Sequence, residues 1–292
     1  MIVVGGSASQ RLAEGVAKSL GCKLVHPEVK RFPDGELYIR IQEDLRGEDV
    51  VVVQSTHHPQ NDRLMELFLL LEAAKEQDVK HLTAVIPYLA YARQDKLFKR
   101  GEAVSLKLVS KFIEEAGAQD VVVVDIHEEE SVSYFSIPVR NVTAAPLLGR
   151  YFKGLGLTNP LFLGPDEKAV KQASSAAKEL EASFDCLKKE RLTPNQVVTS
   201  EKSLDVERRD VVIIDDIIST GGTIVEAAKI LKNKGVGRIF AACTHAVLAE
   251  NAFGRMASVG VERVVGTDTI ETPWSTVSVA PVVVEALMKR GS

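Results

Sequence analysis

Residues 211–223 read Val-Val-Ile-Ile-Asp-Asp-Ile-Ile-Ser-Thr-Gly-Gly-Thr, and their types and spacing point to chemistry more specifically than any other stretch. Residues 211–214 are β-branched and apolar, as a strand buried on both faces requires. Two carboxylates, Asp215 and Asp216, come next, then the turn Ser219-Thr220-Gly221-Gly222-Thr223 and a segment with helical spacing. A Gly/Ser/Thr turn entering a helix offers backbone N–H groups and hydroxyls to a phosphate, and the helix dipole adds to the attraction. Acids beside such a cradle suit hydroxyl groups, so the combination fits a sugar phosphate. No Lys follows the Gly pair, which separates this turn from the Lys-containing nucleotide loop. The plainer alternative is an ordinary strand-to-helix turn with two solvated acids.

Further groups stand where a strand-like run gives way to a loop. Phe32, Asp34 and Glu36 surround the turn Pro33-Asp34-Gly35. An aromatic ring and two acids suit a planar base with an exocyclic amine, and a surface hairpin fits the same residues. Tyr91-Ala92-Arg93-Gln94-Asp95-Lys96, with Lys99, Arg100 and Glu102 beyond, follows the run 82–86 and Pro87. Arg93 can fork onto phosphate oxygens as a lysine cannot, so this loop suits a polyphosphate, with a solvated charged loop as the alternative. The run 121–124 ends in Asp125-Ile126-His127-Glu128, where a neutral imidazole near a carboxylate suits a divalent metal or a metal-bound phosphate. Asp166 follows 161–163 and Gly164-Pro165, and reads either as a second metal ligand or as a helix N-cap. Lys188-Lys189-Glu190-Arg191 is a mixed charge run of the kind that ordinarily lies on solvated surface. His26, His57, His58, His81 and His245 show no metal spacing.

The elements that must position these groups alternate. Apolar runs at 2–4, 50–54, 82–86, 121–124, 161–163, 211–214, 239–243 and 264–265 read as strands. Between them lie helical spacings: Leu64, Leu67, Phe68 and Leu71; Val104, Leu108 and Phe112, with Val109 and Ile113; Ile224, Ala227, Ala228 and Leu231. This order predicts an α/β protein with parallel sheets covered on both faces. The length fits two such blocks, with the boundary at 141–145: a first domain over 1–142 and a second over 143–274. A final helix over 280–288, within 275–292, is a candidate to complete the first domain. Residues 31–41 predict a hairpin at the edge of that domain.

Composition narrows the class. The chain has 292 residues, 45% hydrophobic and 26% charged, as expected of a soluble globular protein. A net charge of −4 with dispersed basic residues argues against a nucleic-acid partner. No apolar run approaches the ~20 residues that span a bilayer, and no charged n-region marks a signal peptide. Cys22, Cys186 and Cys243 are widely spaced and suggest neither zinc binding nor a disulfide framework, which fits a reducing cytoplasm.

Taken in order, these segments resemble the ribose-phosphate pyrophosphokinase family nearly end to end. The motifs are Arg31-Phe32-Pro33-Asp34-Gly35-Glu36, Gln54-Ser55-Thr56, Asn61-Asp62-Arg63-Leu64-Met65-Glu66-Leu67, 91–96, 125–127, 188–191 and 215–223. The resemblance implies two tandem phosphoribosyltransferase-like domains and places Phe32, Asp34, Glu36, Arg93, Gln94 and Lys96 on ATP, the hairpin serving a neighbouring subunit. It implies Mg2+ at His127 and Asp166, and assigns Lys189 and Arg191 to the transition state. It gives ribose 5-phosphate to Asp215, Asp216, Ser219, Thr220, Gly221, Gly222 and Thr223, the acids on the ring hydroxyls and the turn on the 5-phosphate. A homo-oligomer, with a dimer as the minimal unit, follows from the shared hairpin. Two departures stand out: Glu167-Lys168-Ala169 follows Asp166 where the family has small residues, and Ser219 stands where an acid is common. Arg46 matches a position of the family's phosphate and ADP regulatory site, but one residue does not establish regulation. The reaction implied is transfer of the β,γ-diphosphoryl group of MgATP to ribose 5-phosphate. The alternatives are a type I phosphoribosyltransferase, which requires only 211–223, and a non-catalytic regulatory homologue.

Overall fold

The computed structural model describes the backbone of residues 1–193, 196–200 and 204–289, and the side chains of residues 1–187 and 204–289. The chain forms two compact units: residues 1–143 with 268–271 and 278–292, and residues 144–267 with 272–277.

In the first unit the strands are β1 (Ile2–Gly5), β2 (Lys23–Val25), β3 (Glu28–Arg31), β4 (Leu37–Arg40), β5 (Asp49–Val53), β6 (His81–Ile86), β7 (Asp120–Val124) and β8 (Val139–Val142). They alternate with the helices α1 (Gln10–Leu20), α2 (Gln60–Lys75) and α3 (Ser105–Glu115). Six strands form one parallel sheet in the order β2-β1-β5-β6-β7-β8. Both β5 and β7 read Asp-Val-Val-Val-Val, and their valines are buried. β-Branched side chains suit a pleated surface covered on both faces. The core gathers Leu67, Leu70 and Leu71 of α2 with Leu106 and Ile113 of α3 against Val50, Val52, Ala84 and Val121 of the sheet. Helix α3 forms where the spacing predicts it, and of the two four-step series Val109 and Ile113 are buried while Leu108 and Phe112 are 53% and 48% exposed. The helix buries Leu106, Val109, Ser110 and Ile113, and the three apolar ones join the core cluster of the first unit. Strands β3 and β4 pair antiparallel as a hairpin with its own two-stranded sheet.

The second unit repeats the strand order. It contains α4 (Ala145–Lys153), β9 (Leu161–Gly164), α5 (Val170–Lys178), β10 (Ser183–Cys186), β11 (Lys188–Thr193), β12 (Gln196–Ser200), β13 (Val211–Ile218), α6 (Gly222–Asn233), β14 (Ile239–Ala246), α7 (Ala252–Ser258), β15 (Val261–Thr267) and β16 (Ser275–Val277). Its parallel sheet runs β10-β9-β13-β14-β15-β16, and β11 pairs antiparallel with β12 as a separate ribbon. Phe152 of α4 is fully buried and meets Phe162 and Phe240 edge-to-face at 6.1 and 5.8 Å. Such pairs add to the burial of their area. Strands β13 to β15 are longer than their apolar runs. The ladder of β13 with β14 continues from Asp215↔Cys243 to Ile218↔Ala246, because backbone pairing does not depend on apolar side chains.

Helix α8 (Ala280–Met288) belongs to the first unit, and so does the excursion 268–271 between β15 and β16. Two carboxylates fix that excursion. Glu271 accepts from the backbone N–H groups of Arg11 (2.8 Å) and Leu12 (3.3 Å), capping α1. The preceding residue, Ser9, makes no side-chain cap and instead accepts from the N–H of Ser55 at 2.8 Å. Asp268 accepts from the N–H of Val279 at 2.7 Å, just ahead of α8. Burial pushes both carboxyls up, against the backbone donors that favour their charged forms. Among the described residues no helix is long and apolar enough to cross a membrane.

Replacing Glu271 with Ala leaves the first N–H groups of α1 without their acceptor. The expected loss is about 0.5–2 kcal/mol of stability, read as a lower thermal midpoint. An unchanged midpoint for Glu271→Ala would show that the cap contributes nothing.

Candidate active site

In the second unit the site is built around the end of β13. Asp215 and Asp216 are half-buried, and each turns back on the chain: the N–H of Asp216 donates to Asp215 Oδ1 at 3.0 Å, and that of Ile217 to Asp216 Oδ1 at 2.8 Å. Burial, the neighbouring Asp216 and the charge of Asp166 push the Asp215 carboxyl up to about 8. Without a counter-charge Asp215 therefore holds a proton at neutral pH. Its partner across the ladder, Cys243, is fully buried, and burial pushes that thiol up as well, so it is a neutral filler.

The turn after the acids is shaped by Gly221. Its φ of +74° is the left-handed conformation, and an added Cβ would lie 3.3 Å from Met256 Cγ and 3.4 Å from Ala252 Cβ. Gly221 is also the N-cap of α6, which carries no acidic residue in its first turn. The free N–H groups and positive dipole end of α6 thus face the turn Ser219–Thr223 with no acid of that first turn opposing them. Arg255, which sequence motifs did not single out, donates from Nη2 to the carbonyl of Thr220 at 2.6 Å and pins the turn from α7. No local spacing marks Arg255, because its partner lies on another element.

Asp166 is an N-cap. Its Oδ1 accepts from the N–H groups of Lys168 (3.0 Å) and Ala169 (3.4 Å), closing a short turn over Glu167–Ala169 that leads into α5. The Glu167-Lys168-Ala169 departure is accommodated in that turn. Asp166 still acts on Asp215 through its charge. Lys189 and Arg191 stand on β11, opposite Thr199 and Val197 of β12, and their side chains lie outside the described residues.

In the first unit the expected residues occupy the loops that leave β6 and β7, and the hairpin. Tyr91 has a φ of +64°, and its hydroxyl donates to Asn61 Oδ1 at 2.5 Å. The following turn brings the N–H of Gln94 to the carbonyl of Tyr91. Arg93 is exposed and joins no ion pair among the described residues; Lys96 lies 5.8 Å from the ring centre of Phe98. The Glu102 carboxylate accepts from the N–H groups of Phe98 and Lys99 at 2.8 and 2.9 Å, closing the loop. Asp125, ahead of His127, also has a positive φ, +41°, held by its N–H to Val142 and by the N–H of Ile126 to Asn141 Oδ1. Left-handed non-glycine residues cost free energy and concentrate where geometry matters for function. At the hairpin, Asp34 Oδ1 accepts from the N–H of Glu36 at 3.2 Å, and Arg31 binds the carbonyl of Gly35 at 2.8 Å and Asp62 at 2.5 Å. Phe32 remains 50% exposed, edge-on to Tyr38 at 5.8 Å.

No group of three or more His, Cys, Asp and Glu among the described residues forms a ready metal cage. Magnesium does not require one, since it keeps several waters and takes one or two carboxylates together with substrate phosphates. The acid cluster that holds Asp215 protonated is a field a divalent cation would relieve, so the donor set fits such an ion.

Comparison with known proteins agrees with this arrangement. The N-terminal domain of ribose phosphate pyrophosphokinase matches residues 1–117, and a phosphoribosyl transferase domain matches residues 138–279. A ribose-phosphate pyrophosphokinase of Methanothermobacter thermautotrophicus is 43% identical over 286 residues, 98% of this chain and 99% of that protein. One from Sulfolobus acidocaldarius is 41% identical over 284 residues, 97% of each chain. The crystal structure of phosphoribosylpyrophosphate synthetase from Mycobacterium smegmatis superposes with a TM-score of 0.84 at 32% identity, covering 98% of this chain and 97% of the other. This chain therefore belongs to the ribose-phosphate pyrophosphokinase family.

Proposed function

We propose that the protein is a ribose-phosphate diphosphokinase. The C1 hydroxyl oxygen of ribose 5-phosphate attacks the β-phosphorus of ATP, the bond from that phosphorus to the oxygen it shares with the α-phosphate breaks, AMP leaves and the hydroxyl proton is released. The product is phosphoribosyl diphosphate, a precursor for nucleotide biosynthesis. The observation that carries this reading is the end-to-end match to ribose-phosphate pyrophosphokinases, which spans both units rather than the phosphoribosyl unit alone.

In the second unit, Asp215 and Asp216 take the ring hydroxyls, and Ser219, Thr220, Gly221, Gly222 and Thr223 hold the 5-phosphate on the N-terminus of α6. The open first turn of α6 and the positive φ of Gly221 support that placement. In the first unit, Arg93, Gln94 and Lys96 hold the nucleotide's phosphates, and Phe32, Asp34 and Glu36 its base. His127 and Asp166 would hold Mg2+, which when bound draws charge from the phosphate oxygens. Lys189 and Arg191 stabilise charge on the transferring group, in a transfer that depends on alignment and electrostatics more than on covalent help. The exposure of Phe32 at a hairpin tip supports its service to a neighbouring copy, and hence a homo-oligomer built on dimers; the three widely spaced cysteines, read as free, support work in the cytoplasm.

Phosphorus NMR of the protein with MgATP and ribose 5-phosphate tests the reaction. AMP and a sugar-linked diphosphate are expected together, and only with both substrates; ADP as product would overturn the mechanism. Lys189→Ala and Arg191→Ala are each expected to lower turnover by on the order of 10²-fold. Activity within twofold of the parent would remove that residue from the transition state.

The acid pair carries a linkage whose sign is fixed. A carboxyl raised to about 8 in the folded state binds a proton that the unfolded chain has already lost, so stability falls as pH rises from about 4 through 8. Asp215→Asn removes that loss. Without ligands it is expected to match the parent near pH 4 and to exceed it by roughly 2–5 kcal/mol at pH 9, while activity drops. Equal unfolding midpoints at pH 9 would contradict it.

A further inference from the structure

We infer that Tyr134 is a positioning residue for the nucleotide loop; the inference rests on the reading of residues 91–96 as that loop. Tyr134 ends the short turn Glu129–Tyr134 that follows His127. Its ring packs against the core of the first unit, and its carbonyl accepts from Ser110 Oγ of α3 at 3.1 Å. From that fixed mount its hydroxyl donates to the backbone carbonyl of Asp95 at 2.6 Å. Asp95 lies between Gln94 and Lys96, the middle of the segment whose side chains are assigned to ATP. One hydroxyl thus ties the loop of Arg93, Gln94 and Lys96 to the segment that carries His127.

The tie acts midway between the loop's anchored ends, where the other bonds from outside or within the stretch are long: the N–H of Leu106 to the carbonyl of Gln94 and Gln94 Nε2 to the carbonyl of Lys96, each at 3.4 Å. At its start Tyr91 is held by Asn61, and toward its end Glu102 closes the turn at Phe98 and Lys99. Arg93 and Lys96 project from the stretch between as exposed side chains. Exposed cations lose conformational freedom when they grip a ligand, so affinity depends on how far the backbone beneath them is already ordered. A hydrogen bond from a ring packed against the core supplies that order. A phenylalanine has the same ring and the same packing but no donor, so Tyr134→Phe isolates the tie from the mount.

The sequence did not mark Tyr134. It lies beyond the His127 motif, and its partner is a backbone carbonyl 39 positions away, which no side-chain spacing records.

The test compares the parent and Tyr134→Phe by steady-state kinetics in both substrates, by calorimetric titration of MgATP without ribose 5-phosphate, and by thermal unfolding. Loss of a neutral hydrogen bond is expected to raise KM and Kd for ATP by on the order of fivefold to tenfold. KM for ribose 5-phosphate should stay within twofold and the unfolding midpoint within a few degrees. An ATP affinity within twofold of the parent overturns the inference. So does a parallel rise in both KM values with a lower midpoint, which would make Tyr134 structural. A parent that forms no AMP and sugar diphosphate would instead remove the functional reading itself.

Discussion

Two carboxylates side by side at the end of a buried strand repel one another, and the second unit is arranged around that repulsion. The parallel ladder of β13 with β14 carries Asp215 and Asp216 to their place whether or not they are charged. Asp166 adds a third negative charge from the end of β9. Burial first, and then the neighbouring charges, push the Asp215 carboxyl up. Substrate hydroxyls and a cation offer relief, and sites built to accept them commonly hold titratable groups away from their ordinary values.

The two units share a strand order but treat equivalent loops oppositely. In the second unit the crossover after β13 opens into a glycine turn with the N-terminus of α6 exposed beyond it. In the first, the equivalent crossover after β5 is consumed by the protein. Ser55 Oγ donates to the carbonyl of Thr269, and Thr56 Oγ1 donates to the carbonyl of Tyr88 and accepts from the N–H of Ala90. The N-terminus of α1 is likewise closed, by the carboxylate of Glu271. One sheet topology therefore supports a phosphate-type cradle in one unit and a self-satisfied edge in the other. In the first unit the loops that leave β6 and β7 are left to carry Arg93, Gln94, Lys96 and His127.

Much of this was legible in the residues. Apolar runs marked the strands inside the two sheets, and Pro33-Asp34-Gly35 marked the hairpin, because both rest on local preferences; the edge strands β2, β8, β10 and β16 carry no such run. Helix α8 was legible from its apolar composition, but its membership of the first unit was not. That depends on its packing against α1, β7 and β8, all distant in sequence, and on Arg140 donating to the carbonyl of Ala286. The order of Asp215, Asp216 and Gly221 exposed the phosphate-type turn, yet neither the proton on Asp215 nor the clamp by Arg255 could be read, since both arise from neighbours on other elements. Val104, Leu108 and Phe112 step by four just as Val109 and Ile113 do, so spacing identified the helix without saying which series is buried. Asp166 divided between cap and ligand; its backbone partners establish the cap, and the other role depends on a ligand.

Proton release on binding tests the central claim most directly. Ribose 5-phosphate titrated into the protein without Mg2+ at pH 7, by calorimetry in buffers of different ionisation enthalpy, counts the protons exchanged. If Asp215 carries a proton until the sugar arrives, about one proton per site is expected to leave, and the release should vanish in Asp215→Asn. Binding with no proton released by the parent would contradict the claim, because the acid pair would then be ionised from the start.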